Sequence, residues 1–121
     1  KNATGDVDTD LFAKAEATVE LLQQYDFVVA HFNGTDEAAH RYDALEKVAF
    51  IERIDKEFLG TVLGAVQEPL KIVICGDHVT SSVTGKHDGG AVPVVAWCSD
   101  CAANKLENYQ DIIKFLMKEC D

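Results

Sequence analysis

The sequence lacks any apolar run of about 18 residues, the length that a membrane-spanning helix needs. Cysteine is also scarce, and the four residues present are too few and too scattered to form the disulfide framework of a small secreted domain. A reducing, cytoplasmic location is therefore favoured. An initiator methionine is absent and the first residues are polar and turn-like, so we expect the chain to be a segment of a longer protein.

Basic residues are also scarce in comparison with acidic ones. Eleven lysines and arginines stand against 21 aspartates and glutamates, which gives a formal net charge of −10. Such a charge disfavours a nucleic acid or an anionic membrane surface as partner, and it favours a site for cations. With 121 residues, of which 47% are hydrophobic and 26% charged, the chain should fold as one globular domain.

Hydrophobic periodicity predicts an α/β fold, a layered sandwich with a mixed, mostly parallel sheet. Helices are expected over 10–24, capped by Asp8 or Thr9, then from the capping box that opens at Asp43, and finally over 106–118, where Asn104 would be the cap. The helix after Asp43 should bury one face, made by Val48, Ile51, Ile54, Phe58 and Val62.

Three apolar runs predict buried strands, namely Phe27–Phe32, Lys71–Cys75 and Val92–Trp97. No helix separates the second run from the third, and the loop between them is polar. The third strand must therefore begin near the point where the second one ends. We expect these two strands to be antiparallel.

Acidic and histidine side chains follow two of the predicted strands, where ligands collect in sheets of this kind. Asp36 and His40 are four residues apart, so a helical turn would place both on one face. Asp77 and His78 end the second strand, and His87 lies in the following loop. Mixed oxygen and nitrogen ligands suit Zn, Mn or Fe, and two such ions can hold a phosphoryl oxygen between them.

Other residues near these positions have weaker signals. Asp88 is a candidate to support a ligating histidine, or else a turn residue, and Thr80 is placed to contact a phosphate. Cys98 and Cys101 have the spacing of a zinc or redox pair, but no second pair accompanies them, which favours a structural or incidental role. The sequence contains no Gly-x-Ser-x-Gly elbow and no glycine-rich phosphate loop.

Several motifs together resemble the C-terminal part of the archaeal-type, cofactor-independent phosphoglycerate mutases, which belong to the alkaline phosphatase superfamily. In chain order the matching segments are 3–5, 8–9, 25–31, 35–40, 51–55, 76–78, 86–87 and 92–94. The resemblance covers nearly the whole chain. It implies that residues 1–121 form the C-terminal portion of a metal-binding, phosphatase-like domain.

The resemblance also implies a site and a reaction. One divalent metal, often Mn, would be bound by Asp36, His40 and His87, and another by Asp77 and His78; Zn, Mg and Co are alternatives. The parent enzyme would interconvert 3-phosphoglycerate and 2-phosphoglycerate, in glycolysis and gluconeogenesis, through a phosphorylated Ser or Thr. No residue of this segment matches that nucleophile, which is expected upstream, so the segment alone should be inactive.

Two other functions stay open at this point. The parent could be a different phosphohydrolase or phosphomutase of the same superfamily, or the segment could be a non-catalytic metal-binding module. An upstream Asp and a Ser or Thr nucleophile in the full-length sequence, with an inserted substrate domain, would favour the mutase. The expected partners are a small phosphorylated substrate and the N-terminal remainder of the parent chain.

Overall fold

The structure is a computed structural model that describes residues 7–100 and 106–117. The chain divides into two compact units, residues 1–67 with 80–88 and residues 68–79 with 89–121. In the described ranges, no helix is both long enough and apolar enough to cross a membrane. The first unit is mainly helical and the second combines a strand pair with a helix.

Helix α1 of the first unit, Leu11–Leu22, begins where a carboxylate can satisfy its first amides. Asp10 is the N-cap, and its Oδ1 accepts a hydrogen bond from the Ala13 amide at 3.0 Å. The predicted cap at Asp8 or Thr9 was therefore wrong by one or two residues. The first turn buries Leu11, and Ala15 is buried one turn later.

Two further helices of this unit pack closely together. Helix α2, Gly34–His40, is the predicted helical turn, and α3, Ala44–Arg53, begins at the predicted cap, where Asp43 Oδ1 accepts from the Glu46 amide at 2.9 Å. Their contact depends on a missing side chain. A Cβ at Gly34 would lie 2.5 Å from the ring of the buried Phe50.

The helix continues from α3 through a π-helical segment, Ile54–Leu59, into α4, Gly60–Ala65. An unbroken α-helix would rotate Phe58 by about 80° from Phe50, at about 100° per residue. The wider π turn takes up one extra residue and reduces the angle to about 20°. Phe50, Phe58 and Val62 thus share the buried face.

The predicted core face of this long helix was partly wrong for the same reason. Val48 and Ile51 are 54% and 50% exposed, although a continuous 3.6-residue period places them with Phe58 and Val62. The change of phase at the π-helical segment separates the two sets. Helix α1 packs against the π-helical segment and α4, which completes the core of the first unit.

The apolar run Phe27–Phe32 does not form the predicted strand. Val29 is 74% exposed, and no described segment pairs with this stretch. An apolar run becomes a strand only where neighbouring strands accept its backbone hydrogen bonds. The end of the run is held instead by Lys14, whose Nζ donates to the His31 carbonyl at 2.5 Å and lies 4.6 Å from the centre of the Phe32 ring. Burial lowers the pKa of Lys14.

In the second unit, strand β1, Lys71–Cys75, agrees with the prediction, and it pairs antiparallel with β4, Val94–Cys98. The predicted antiparallel arrangement is confirmed, and β4 begins two residues later than expected, after Pro93. Helix α5, Tyr109–Met117, is the last predicted helix; it packs on β1 and buries Phe115. The predicted cap, Asn104, lies outside the described residues.

The α/β class is confirmed. Besides the pair β1 and β4, two strands of two residues each, β2 (Val79–Thr80) and β3 (His87–Asp88), form a second small sheet. These are the sheets within residues 7–100 and 106–117, and the mostly parallel layered sandwich stays a prediction. For the site, the essential result is that the loop 80–88 belongs to the same unit as α2.

Candidate metal centre

Helix α2 and strand β3 bring three of the predicted ligands together. Because Asp36 and His40 are one helical turn apart, their side chains share a face, and His40 Nε2 lies 3.2 Å from Asp36 Oδ2. His87 approaches from β3, with its Nε2 3.3 Å from Asp36 Oδ1 and 3.2 Å from His40 Nε2. The two imidazole rings are 5.1 Å apart between centroids.

These distances fit the requirements of a bound divalent cation. Ligand atoms about 2.0–2.1 Å from a tetrahedral zinc ion lie about 3.3 Å from one another, and an octahedral site brings neighbouring ligands slightly closer. His40 Nε2 lies 3.2 Å from His87 Nε2 and 3.2 Å from Asp36 Oδ2, and His87 Nε2 lies 3.3 Å from the other carboxylate oxygen, Oδ1. Each of these separations agrees with either geometry. Oxygen and imidazole nitrogen are ligands that Zn and Mn both accept.

The protonation of His40 gives a second reason to place a cation here. Its Nδ1 lies 2.6 Å from the Gly85 carbonyl oxygen, which can only accept, so Nδ1 carries the hydrogen and donates it. In the neutral ring, Nε2 then presents a lone pair toward the Asp36 carboxylate. Lone pairs facing each other repel, and a metal ion or a shared proton between them relieves the repulsion.

The carboxylate of Asp36 is oriented by a buried neighbour. Thr80 is 5% exposed, and its hydroxyl donates to Asp36 Oδ1 at 2.5 Å. The carbonyl of Thr80 accepts in turn from Lys47 Nζ at 2.8 Å. Hydrogen bonds of this kind fix the direction of a ligand and raise metal affinity. Lys47 was not singled out by the sequence analysis, because a lysine in a helix usually faces solvent.

Asp77 and His78, the other two predicted ligands, lie in the second unit, directly after β1. The His78 amide donates to Asp77 Oδ1 at 3.0 Å, and the side chain of Asp77 is 75% exposed. The hydroxyl of Tyr109 lies 2.9 Å from the Gly76 carbonyl and 3.1 Å from that of Asp77. Helix α5 therefore anchors the loop that carries both residues.

The remaining candidates have simple locations. Asp88 is exposed on β3 beside His87. Cys98 ends β4, whereas Cys101 lies outside the described residues. The sequence analysis missed Gly85, whose carbonyl meets His40. Its signal was a glycine two residues before a candidate ligand in a loop, which indicates a backbone conformation that other residues avoid.

Comparison with known proteins agrees with this picture. Residues 2–114 match the family described as the Metalloenzyme superfamily. The chain is 42% identical over 111 residues to a protein of Methanopyrus kandleri, named 2,3-bisphosphoglycerate-independent phosphoglycerate mutase, covering 90% of the chain and 26% of that protein. It is also 42% identical over 96 residues to the protein of the same name from Thermococcus kodakarensis, covering 78% of the chain and 23% of the relative.

A solved structure, that of the PH0037 protein from Pyrococcus horikoshii, superposes with a TM-score of 0.74 at 41% identity. The match covers 79% of this chain and 29% of that one. The chain thus spans about a quarter of the length of the curated relatives it matches. The resemblance to the archaeal-type, cofactor-independent phosphoglycerate mutases is confirmed, and the chain belongs to the Metalloenzyme superfamily.

Proposed function

We propose that this chain is part of a metal-dependent phosphoglycerate mutase, which interconverts 3-phosphoglycerate and 2-phosphoglycerate through a phosphorylated Ser or Thr. One observation carries the proposal: the Nε2 atoms of His40 and His87 lie 3.2 Å apart, and each lies within 3.3 Å of a carboxylate oxygen of Asp36. The names of the relatives support the choice of reaction. The nucleophile would come from the portion of the parent protein that precedes this segment.

The residues of this chain would hold the cofactors and orient them. Asp36, His40 and His87 would bind one divalent ion, and Asp77 with His78 would provide ligands to another. Mn is our first choice, with Zn, Mg and Co as alternatives. Bound divalent ions supply charge stabilisation for a phosphoryl group and for the attacking oxygen. Thr80 would keep Asp36 oriented, and the Gly85 carbonyl would keep the proton of His40 on Nδ1.

The surroundings of the site support a larger domain. Val29 in the apolar run Phe27–Phe32 is 74% exposed, and on the β1 and β4 pair Ile74 and Val95 are 49% and 59% exposed. Apolar segments exposed to this degree are usually covered by other parts of a folded protein. We propose that they join the mostly parallel, layered sheet of an alkaline-phosphatase-like domain together with upstream strands, in a cytoplasmic enzyme.

Two alternatives make different predictions. A phosphohydrolase or another phosphomutase of the superfamily would use the same ligands on another phosphomonoester. A non-catalytic metal-binding module would bind the ions without any turnover, whatever segment is added. The ligand set favours an enzyme over a module, because the ligands are exposed enough to admit a substrate, with His87 55% and His40 38% exposed.

The test is to assay the chain alone and the chain fused to the N-terminal remainder of its parent, with Mn present, on 3-phosphoglycerate and on a generic phosphomonoester. We expect no mutase turnover by the 121 residues alone and at most a trace of phosphatase activity. The fusion should produce 2-phosphoglycerate. Turnover on the generic ester but not on 3-phosphoglycerate would favour the phosphohydrolase instead.

Two variants of the fusion make this result specific. His78→Ala should abolish turnover, because it removes a proposed metal ligand. His31→Ala is the matched control, since His31 is exposed and its contact with Lys14 is made by the backbone carbonyl, which the substitution keeps. Robust turnover by the chain alone, or an active His78→Ala fusion, would show that the proposed division of the site is wrong.

A further inference from the structure

We propose that Tyr42 and Gly85 are a positioning pair for His40: the Tyr42 ring supports Gly85, whose carbonyl keeps the imidazole in the tautomer that can bind a metal. The inference rests on the metal site proposed above. It assigns a role to two residues that do not touch the metal ligand atoms themselves.

Helix α2 ends in a Schellman motif that places Tyr42 in an unusual conformation. The Asp43 amide donates to the Ala38 carbonyl at 2.9 Å, and the Tyr42 amide donates to the Ala39 carbonyl at 3.0 Å. In this motif the residue that follows the C-cap, here Tyr42, adopts positive φ. Tyr42 has φ of 60°, and it is the one non-glycine residue with positive φ in the described part of the chain.

A glycine at this position would avoid a steric cost that tyrosine incurs. A strained residue that persists at a candidate site often has a use for its side chain. The ring of Tyr42 is not part of the core, because the residue is 65% exposed. Its use must therefore be sought in what the ring touches.

The ring of Tyr42 lies against Gly85. A Cβ built on Gly85 would come within 2.8 Å of Tyr42 Cζ and 2.9 Å of Cε1, so only glycine fits beneath the ring. Gly85 also has positive φ, 69°, and its amide donates to the Ser81 carbonyl at 2.8 Å. The ring on one side and the turn on the other together fix the direction of the Gly85 carbonyl.

That carbonyl is the acceptor for His40 Nδ1, at 2.6 Å. If it turned away, the proton of the neutral ring could move to Nε2, and Nε2 could no longer act as a metal ligand. Tyr42 follows His40 by two residues and thus supports, through Gly85, a ligand of its own helix. The positive φ of Tyr42 thus has a steric cost, and the cost is offset by the support that the ring gives to Gly85.

The decisive variant is Tyr42→Gly, because it separates the two roles of the residue. It relieves the positive φ, so the thermal stability should stay equal or rise, while the affinity for Mn²⁺ or Zn²⁺ should fall at least tenfold. Tyr42→Phe keeps the ring and should restore the wild-type affinity. Tyr25→Gly is the control for the loss of an exposed tyrosine ring, as Tyr25 is 60% exposed, and should leave the affinity unchanged.

A second measurement does not depend on bound metal. Long-range ¹⁵N–¹H correlation spectra of the metal-free chain, at about pH 8.5 where imidazoles are neutral, report which nitrogen of His40 carries the proton. The wild type and Tyr42→Phe should hold it on Nδ1, and Tyr42→Gly should show a mixture. If the wild-type chain binds no metal, the proposed function fails, and the spectra still decide this inference.

The pairing itself is tested by a double-mutant cycle. Gly85→Ala should weaken metal binding in the wild type, and it should cost much less when Tyr42 is already glycine. Equal costs in both backgrounds would overturn the inference. It would also be overturned if Tyr42→Gly kept the wild-type affinity and tautomer. Glycine and asparagine both tolerate positive φ, so a loss of stability in both Tyr42→Gly and Tyr42→Asn would overturn it as well, since the ring would then serve only the fold.

Discussion

Thr80 donates its hydroxyl hydrogen to Oδ1 of Asp36 across 2.5 Å, although 44 positions separate the two residues. The hydroxyl is on a buried residue, so water does not compete for this hydrogen bond. The bond connects the loop 80–88 to α2, and it fixes one oxygen of the carboxylate while the other faces His40. Orientation of Asp36 thus depends on a residue outside the helix that carries it.

Thr80→Val should weaken the site without unfolding the unit. The substitution keeps the shape of the side chain and removes the donor, and loss of such a supporting bond lowers metal affinity by roughly tenfold or more. Thr80→Ser keeps the hydroxyl and should bind nearly as the wild type does. Calorimetric titration of Mn²⁺ measures both, and equal affinities for the Val and Ser variants would contradict the role given to the hydroxyl.

The chain should bind one divalent ion tightly and a second one weakly. Asp36, His40 and His87 offer three ligands, whereas Asp77 and His78 offer two, and water must complete the coordination there. His40→Ala should remove the tight phase of the titration, and His31→Ala should leave it. Two equally tight phases in the wild type would contradict the prediction.

Metal should stabilise the folded chain, and chelation should reverse the effect. A cation relieves the repulsion among the lone pairs of Asp36, His40 and His87, and it binds the folded state preferentially. At a free concentration one hundred times Kd the gain is about 2.7 kcal/mol, or roughly 10 °C in Tm for a domain of this size. Melting curves with Mn²⁺, with Zn²⁺ and with a chelator check this, and identical curves would rule it out.

Gly34→Ala should destabilise the first unit by about 1–3 kcal/mol, because the new methyl group would overlap the Phe50 ring. Helix α2 would have to shift, and with it Asp36 and His40. Gly64→Ala is the matched control, since nothing lies within 4 Å of a Cβ there and alanine favours the helix. Denaturant titration compares them, and equal midpoints would mean that α2 and α3 do not pack as closely as described.

Tyr109→Phe should loosen the segment that carries Asp77 and His78. The hydroxyl can donate one hydrogen, shared between the Gly76 and Asp77 carbonyls, and its loss costs about 0.5–1.5 kcal/mol. Amide hydrogen exchange should increase at residues 76–78 and stay unchanged at α2. Unaltered exchange at residues 76–78 would show that Tyr109 does not anchor this loop.

Local signals in the sequence predicted which candidate residues lie close together where one helical turn or one strand end decides their placement. Asp36 and His40 meet because four residues make about one turn of α2. β1 and β4 are antiparallel because the segment between them contains no helix that could carry the chain back to the other end of β1. The cap at Asp43 followed from its position before an amphipathic helix. Each of these features depends on a few neighbouring residues.

The features that the sequence did not predict depend on distant groups. Phe27–Phe32 has a strand-like composition, but composition does not supply a pairing partner. The tautomer of His40 is fixed by a backbone carbonyl 45 residues away. Every residue has such a carbonyl, so the amino-acid sequence does not indicate which one contacts His40. The set of helix positions that face the core changes after Phe50, at a π turn that the hydrophobic periodicity of the sequence does not indicate.

That π turn has a consequence for how the length of the chain can vary. Since Ile54–Leu59 already contains one residue more than a regular helix would need, deleting a residue there would restore the i→i+4 ladder and keep Phe58 and Val62 turned toward the core. A deletion within α3 would instead rotate everything after it by about 100° and exchange interior for surface. The long helix therefore has a defined place where a one-residue deletion leaves its core contacts unchanged.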